Sequence, residues 1–179
     1  MDIGFETSWF RERLKEAGNP KRAAGEKKYL KSPWKFYGVT VPQRHKIVKE
    51  WLKKHQDLQL GDAEKLTEIL WNSEWHEEKS LAIDIVRLTS GRLTVKQIPL
   101  VEKMINETTG WDHLDEIAVH VIGTMIDNDK ATLKYLSKWA KSKNFWVRRA
   151  AVLSQIPQFK RKAGNKKLFF EIIMPMFDE

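Results

Sequence analysis

The chain has no cysteine among its 179 residues, which removes disulfides, a thiol nucleophile and every cysteine-ligated zinc or iron–sulfur site. A reducing, cytoplasmic compartment is the expectation. Six prolines and nine glycines are too few for a disordered composition. No apolar run approaches the roughly 18 residues of a membrane span, and the opening MDIGFETSWF lacks the charged-then-apolar order of a secretory signal. Neither membrane insertion nor export is expected. Walker loops, GxGxxG and GxSxG are all missing, which sets aside nucleotide hydrolysis, dinucleotide redox chemistry and serine hydrolysis. The five histidines form no ligand set either. His76-Glu77 lacks the second histidine of HExxH, and His113 and His120 stand seven apart with no third ligand near them in sequence. No metal and no cofactor are expected.

Acid is missing in one long stretch, since residues 130–170 contain no Asp or Glu. The net charge of +8 is strongly segregated. Residues 1–54 carry 14 Lys/Arg against 6 Asp/Glu, residues 55–129 carry 6 against 15, and residues 130–179 carry 12 against 3. A solvated basic surface explains the excess alone, whereas two basic ends around an acidic middle point to a polyanion. Lysines and arginines that neutralise phosphates release counterions and supply most of such affinity. Nucleic acid is the expected partner class.

What the chain does have is helical periodicity. Apolar residues recur every three to four positions and no stretch alternates with period two, so the fold class is all-α. The spacing predicts helices over about 7–17, 20–31, 42–55, 62–72, 75–90, 94–107, 111–126, 130–142, 145–156 and 165–178. Pro20 and Pro42 suit first helical turns, and residues 32–42 form the longest connector. Three segments align on their tryptophans: WHEEKSLAIDIV from Trp75, WDHLDEIAVHVI from Trp111 and WVRRAAVLSQIP from Trp146. Six places past each tryptophan stand Leu81, Ile117 and Val152; seven past, Ala82, Ala118 and Leu153; ten past, Ile85, Val121 and Ile156. Each of these helices follows another amphipathic helix, so the repeat is a helix pair of HEAT-like length. The expected architecture is one repeat domain, residues 1–179. It would be an α-α superhelical solenoid whose successive second helices line a concave basic groove.

Trp111 and Asp115 are four residues apart in the first turns of the second aligned helix, which places an indole and a carboxylate on one face. A cationic or cation-forming ligand suits that pair. At the same level the first repeat carries Glu77, Glu78 and Lys79, and the third carries Arg148 and Arg149. A guanidinium beside a carboxylate favours its charged form and also grips phosphate. Plainer roles exist for each residue. Trp75 and Trp146 read as packing residues, Asp112 serves a helix N-terminus, and Asp115 on pattern alone is equally an exposed helix charge.

The strings GWDHLDEIA, NFWVRRAAVLSQI at 144–156 and YLKSPWKFYGVTVP at 29–42 resemble the AlkD-like DNA alkylation repair enzymes, HEAT-like-repeat DNA glycosylases, over about residues 29–157. The resemblance implies hydrolytic release of positively charged N3- and N7-alkylated purines from double-stranded DNA, without metal or cofactor. It implies Asp115 as the catalytic carboxylate with Trp111 beside it, and Arg149 on the DNA backbone near the lesion. Gly38 and Pro42 match the family's connector, where Thr40 falls at a DNA contact, and Arg148 and Lys143 are expected on the same DNA-facing surface. Two departures stand out. Gly110 precedes Trp111 where the family has an aromatic or small polar residue, and family chains continue past the point of Glu179. The expectation is therefore a chain lacking its C-terminal capping unit, with weakened catalysis, and monomeric unless its apolar last segment mediates association. The competing function is a non-catalytic helical-repeat module that binds nucleic acid or a protein partner.

Overall fold

The computed structural model describes residues 1–177, and among them there are twelve α-helices and no strand. The helix expected over 165–178 ends at Ile173 and gives way to a 3-10 turn, Met174–Met176, around Pro175; residue 178 lies outside the described residues. Packing divides the chain into two compact units, Met1–Thr89 and a second beginning at Ser90. No helix is long and apolar enough to cross a membrane among the described residues.

The first unit holds α1 (Ile3–Ala17), α2 (Pro20–Leu30), α3 (Val41–Lys54), α4 (Leu60–Trp71) and α5 (His76–Leu88). Polar caps start the first three. Asp2 accepts from the Phe5 amide, Asn19 from that of Arg22, and Thr40 forms a reciprocal capping box with Gln43. Phe10, Leu14, Trp51, Leu66, Leu70, Trp71, Leu81 and Ile85 fill its core, while α2 buries no side chain.

The connector between α2 and α3 is held by the start of α5. The buried Glu77 carboxylate accepts from three consecutive backbone amides, Tyr37 at 3.0 Å, Gly38 at 2.7 Å and Val39 at 3.0 Å. Glu78 accepts from the Tyr37 hydroxyl at 2.8 Å and from Arg11 Nε at 3.0 Å. Burial, and then the bond to Glu78, push the Tyr37 hydroxyl above the usual tyrosine range. The Tyr37 ring stacks on Trp75 with centroids 4.0 Å apart. Gly38 has φ +80°, and a Cβ there would stand 2.1 Å from the Asn19 carbonyl oxygen, so only glycine fits.

The second unit holds α6 (Ile98–Glu107), α7 (Trp111–Glu116), α8 (Gly123–Asn128), α9 (Leu133–Trp139), α10 (Phe145–Leu153), α11 (Ile156–Lys160) and α12 (Lys166–Ile173). The helix expected over 111–126 is present and continues to Asn128, but its middle, Ile117–Ile122, is π-helical. The sequence contains the cause. The buried pairs His113-Leu114, Ile117-Ala118, Val121-Ile122 and Met125-Ile126 recur every four residues. An α-helix overshoots by about 40° per four residues, so a regular one would rotate the last pair about 120° off the core. The wider π turns absorb that drift. Gly123 follows at a close approach, where a Cβ would meet Pro157 Cγ at 2.7 Å.

The helix expected over 145–156 stops at Leu153. Pro157 has no N–H for the Leu153 carbonyl and opens a separate short helix, α11. The aligned apolar positions are accordingly buried in α5 and along α7 and its π turn, whereas Val152, Leu153 and Ile156 are only half-buried.

Replacing Glu77 with Ala should leave three buried amides without an acceptor, a loss of about 3 kcal/mol in urea unfolding. Glu77→Gln, which keeps one carbonyl oxygen, should lose less.

Candidate functional site

The second unit brings two aligned helices together at the level the sequence singles out. Asp115, one turn into α7, receives two bonds from Arg149, one turn into α10: Nε to Oδ1 and Nη2 to Oδ2, each 2.8 Å. This is the parallel two-bond geometry that fixes a carboxylate in position and orientation. Both side chains are 35 % exposed, so the pair sits at the surface with its outer edge open. The bond to Asp115 is also the main reason that the Arg149 guanidinium holds its proton more tightly than an ordinary arginine. Arg149 uses only its Nε and Nη2 in this pair, and Nη1 has no hydrogen-bond partner among the described residues.

Trp111 is the first residue of α7 and is 48 % exposed. The intervening turn is regular α-helix, so the indole and the Asp115 carboxylate share a face. Gly110 occupies the N-cap without a side-chain bond, and Asp112 supplies acid to the first turn, which matches its reading as a helix-terminus charge. His113 points the other way and is buried.

The other expected residues are placed differently. Arg148 turns back on the loop before α10, its Nη1 bonding the carbonyls of Ser142 at 2.8 Å and Lys143 at 3.1 Å. Its guanidinium also lies 6.0 Å from the centroid of the Phe145 ring. Lys143 is exposed in that loop. Thr40 lies in the first unit, where its hydroxyl caps α3 and donates to Gln43 Oε1 at 2.7 Å.

The packing roles read for Trp75 and Trp146 agree with the structure, since both are half-buried against aromatic neighbours. Two features escaped the sequence. The four-residue recurrence of buried pairs announces the π turn, but it resembles ordinary helical spacing unless the drift is summed. Glu77 occupies the same repeat level as a prospective binding residue, yet its carboxylate is consumed by the connector. Nothing in the residue types separates it from Asp115.

A solved structure described as a predicted DNA alkylation repair enzyme from Enterococcus faecalis shares the fold, with a TM-score of 0.77 over 88 % of this chain and 73 % of that one, at 22 % identity. No curated protein matches the chain.

Arg148→Ala should speed amide hydrogen exchange across residues 142–145 and cost about 1 kcal/mol of stability, because two loop carbonyls lose a charged donor.

A family model for the DNA alkylation repair enzyme matches residues 10–178, both aligned helices of the site included, and the chain belongs to that family.

Proposed function

We propose that the protein is a DNA glycosylase that hydrolyses the N-glycosidic bond of positively charged N3- or N7-alkylated purines in double-stranded DNA. The observation that carries this reading is the exposed Trp111 ring one helical turn from a carboxylate fixed at two points by Arg149.

Alkylation at N3 or N7 leaves a formal positive charge on the purine, so the base departs without being protonated. As the C1′–N bond breaks, its electron pair returns to the purine and neutralises it, and positive charge develops on the deoxyribose. A fixed carboxylate stabilises that oxocarbenium-like state without reorganising at the moment of reaction. Asp115 has this role and orients the attacking water, whose oxygen bonds to C1′ while its proton passes to Asp115 and then to solvent. Trp111 presents its π face to the cationic nucleotide, an attraction worth about 0.5–2 kcal/mol. The open Nη1 edge of Arg149 takes a backbone phosphate while the Nε and Nη2 edge holds Asp115, so one guanidinium sets the distance between phosphodiester and carboxylate.

Net charges at the two ends of the chain favour the same partner. In this reading the face that α7 and α10 share in the second unit meets the DNA, with Lys143 and Arg148 along the strand beside Arg149. Thr40 is the contact furthest from the carboxylate in sequence.

Asp115→Asn should abolish release of N7-methylguanine from duplex DNA while duplex affinity stays within about twofold. Binding by the wild-type protein with no base released under any buffer condition tried would favour the non-catalytic module. The double variant Arg148→Ala, Arg149→Ala should weaken binding and reduce the slope of log affinity against log salt by about 1–2, as expected for lost phosphate contacts. An unchanged slope would take both arginines off the DNA surface.

A further inference from the structure

Phe145 stands where the repeat places a counterpart to Trp111. It is the first residue of α10, as Trp111 is the first of α7, and each precedes its member of the Asp115–Arg149 pair by four residues. Four residues along a helix returns to the same face. Both rings are therefore on the faces that carry the paired charges, and both are exposed, Phe145 at 56 %.

What sets Phe145 apart from the other exposed phenylalanines, Phe5, Phe170 and Phe177, is its place beside the Asp115–Arg149 pair. Its ring meets Trp146 edge to face, with centroids 5.2 Å apart. The Arg148 guanidinium lies over it, and that guanidinium is itself tied to the Ser142 and Lys143 carbonyls. A ring held from two sides yet open to solvent is prepared for a contact, because ordering an exposed aromatic without one gains little.

We infer that Phe145 is a second aromatic wall of the site, contacting the DNA strand beside the nucleotide that faces Trp111 and Asp115. This inference rests on the proposed action on DNA and extends it to a residue without charge. The neighbouring cations decide the occupant. Arg148 lies over the ring, the exposed Lys143 is two residues before it and Arg149, with its Nη1 edge open, four residues after it, in a stretch of sequence without acid, so what docks is anionic and offers flat or apolar surface between its charges. A nucleic acid strand combines the two, with phosphates for the guanidinium groups and sugar or base faces for the ring. The Phe145 wall also gives Arg148 a purpose, since the arginine that closes the 142–144 loop also lies over the ring.

The test uses the full chain and two readouts. Duplexes carrying 2-aminopurine next to a central N7-methylguanine, or next to a normal guanine, report a ring pressed against the stack through the fluorescence change on binding. The wild-type protein should give that change, and Phe145→Ala should lose most of it and bind the normal duplex about fivefold more weakly, as expected when one stacking contact is removed. Phe145→Trp should restore it. Single-turnover base release should fall about 5- to 20-fold in Phe145→Ala, the loss expected for one stacking contact, and recover in Phe145→Trp. An unfolding midpoint close to wild type is expected for a side chain this exposed and separates the loss from misfolding.

Identical 2-aminopurine signals for wild type and Phe145→Ala would overturn the inference. If base release is absent even in the wild-type protein but the fluorescence change still depends on Phe145, the wall stands as a DNA contact and the glycosylase reading falls.

Discussion

The second unit is organised around one bidentate bond, between the Asp115 carboxylate and the Arg149 guanidinium. It ties α7 to α10 one turn into each helix, and every other property of the site follows from that level. It presents a carboxylate that cannot rotate, leaves one edge of a guanidinium open, and raises Trp111 and Phe145 a turn ahead. Its value is not chiefly in stability. A pair this exposed is screened by water, and comparable surface pairs contribute at most about 1 kcal/mol. What two parallel bonds supply instead is orientation, which a single lysine bond would leave free.

The same repeat level serves opposite ends in the two units. In α5 the carboxylate of Glu77 is buried and takes three amides, so its charge is spent internally on fixing a loop. In α7 the carboxylate is half-exposed and takes one guanidinium, so part of its field reaches solvent. The difference comes from what the preceding connector delivers. Residues 35–39 cross the start of α5 closely enough to form the backbone bridge between Lys35 and Trp75, with successive N–H groups aimed inward. Consecutive amides in such a turn make an anion nest, and here the anion is the protein's own side chain. Equivalent positions in a repeat therefore do not share a role, because neighbouring segments decide whether a charge is structural or available.

Much of this could be read from residues. The helices from α1 to α9 overlap the expected ranges because apolar spacing, helped by polar caps on the first three, acts locally, within one or two turns. Trp111 and Asp115 were identifiable because a four-residue spacing guarantees a shared face whatever surrounds it. Arg148 and Arg149 looked equivalent, adjacent and alike in type, and the structure separates them: consecutive helical residues diverge by about 100°, so one meets Asp115 and the other turns to the loop carbonyls. Phe145 reads as an ordinary apolar residue at a helix start, since exposure is a property of the packed chain. The break at Leu153 follows from Pro157 and was legible, but the apolar pattern ran through it.

Sequence by itself determined that the protein is helical, that its charge is segregated, that its helices repeat at 35 and 36 residues, and that an indole and a carboxylate share a face. These depend on periodicity and composition, which act over a few residues. Only the tertiary structure decided which guanidinium holds Asp115, that Glu77 is consumed by the connector, and that Phe145 stays uncovered. Those outcomes depend on contacts between residues more than thirty positions apart, and on a balance between burial and hydrogen bonding that local pattern does not encode.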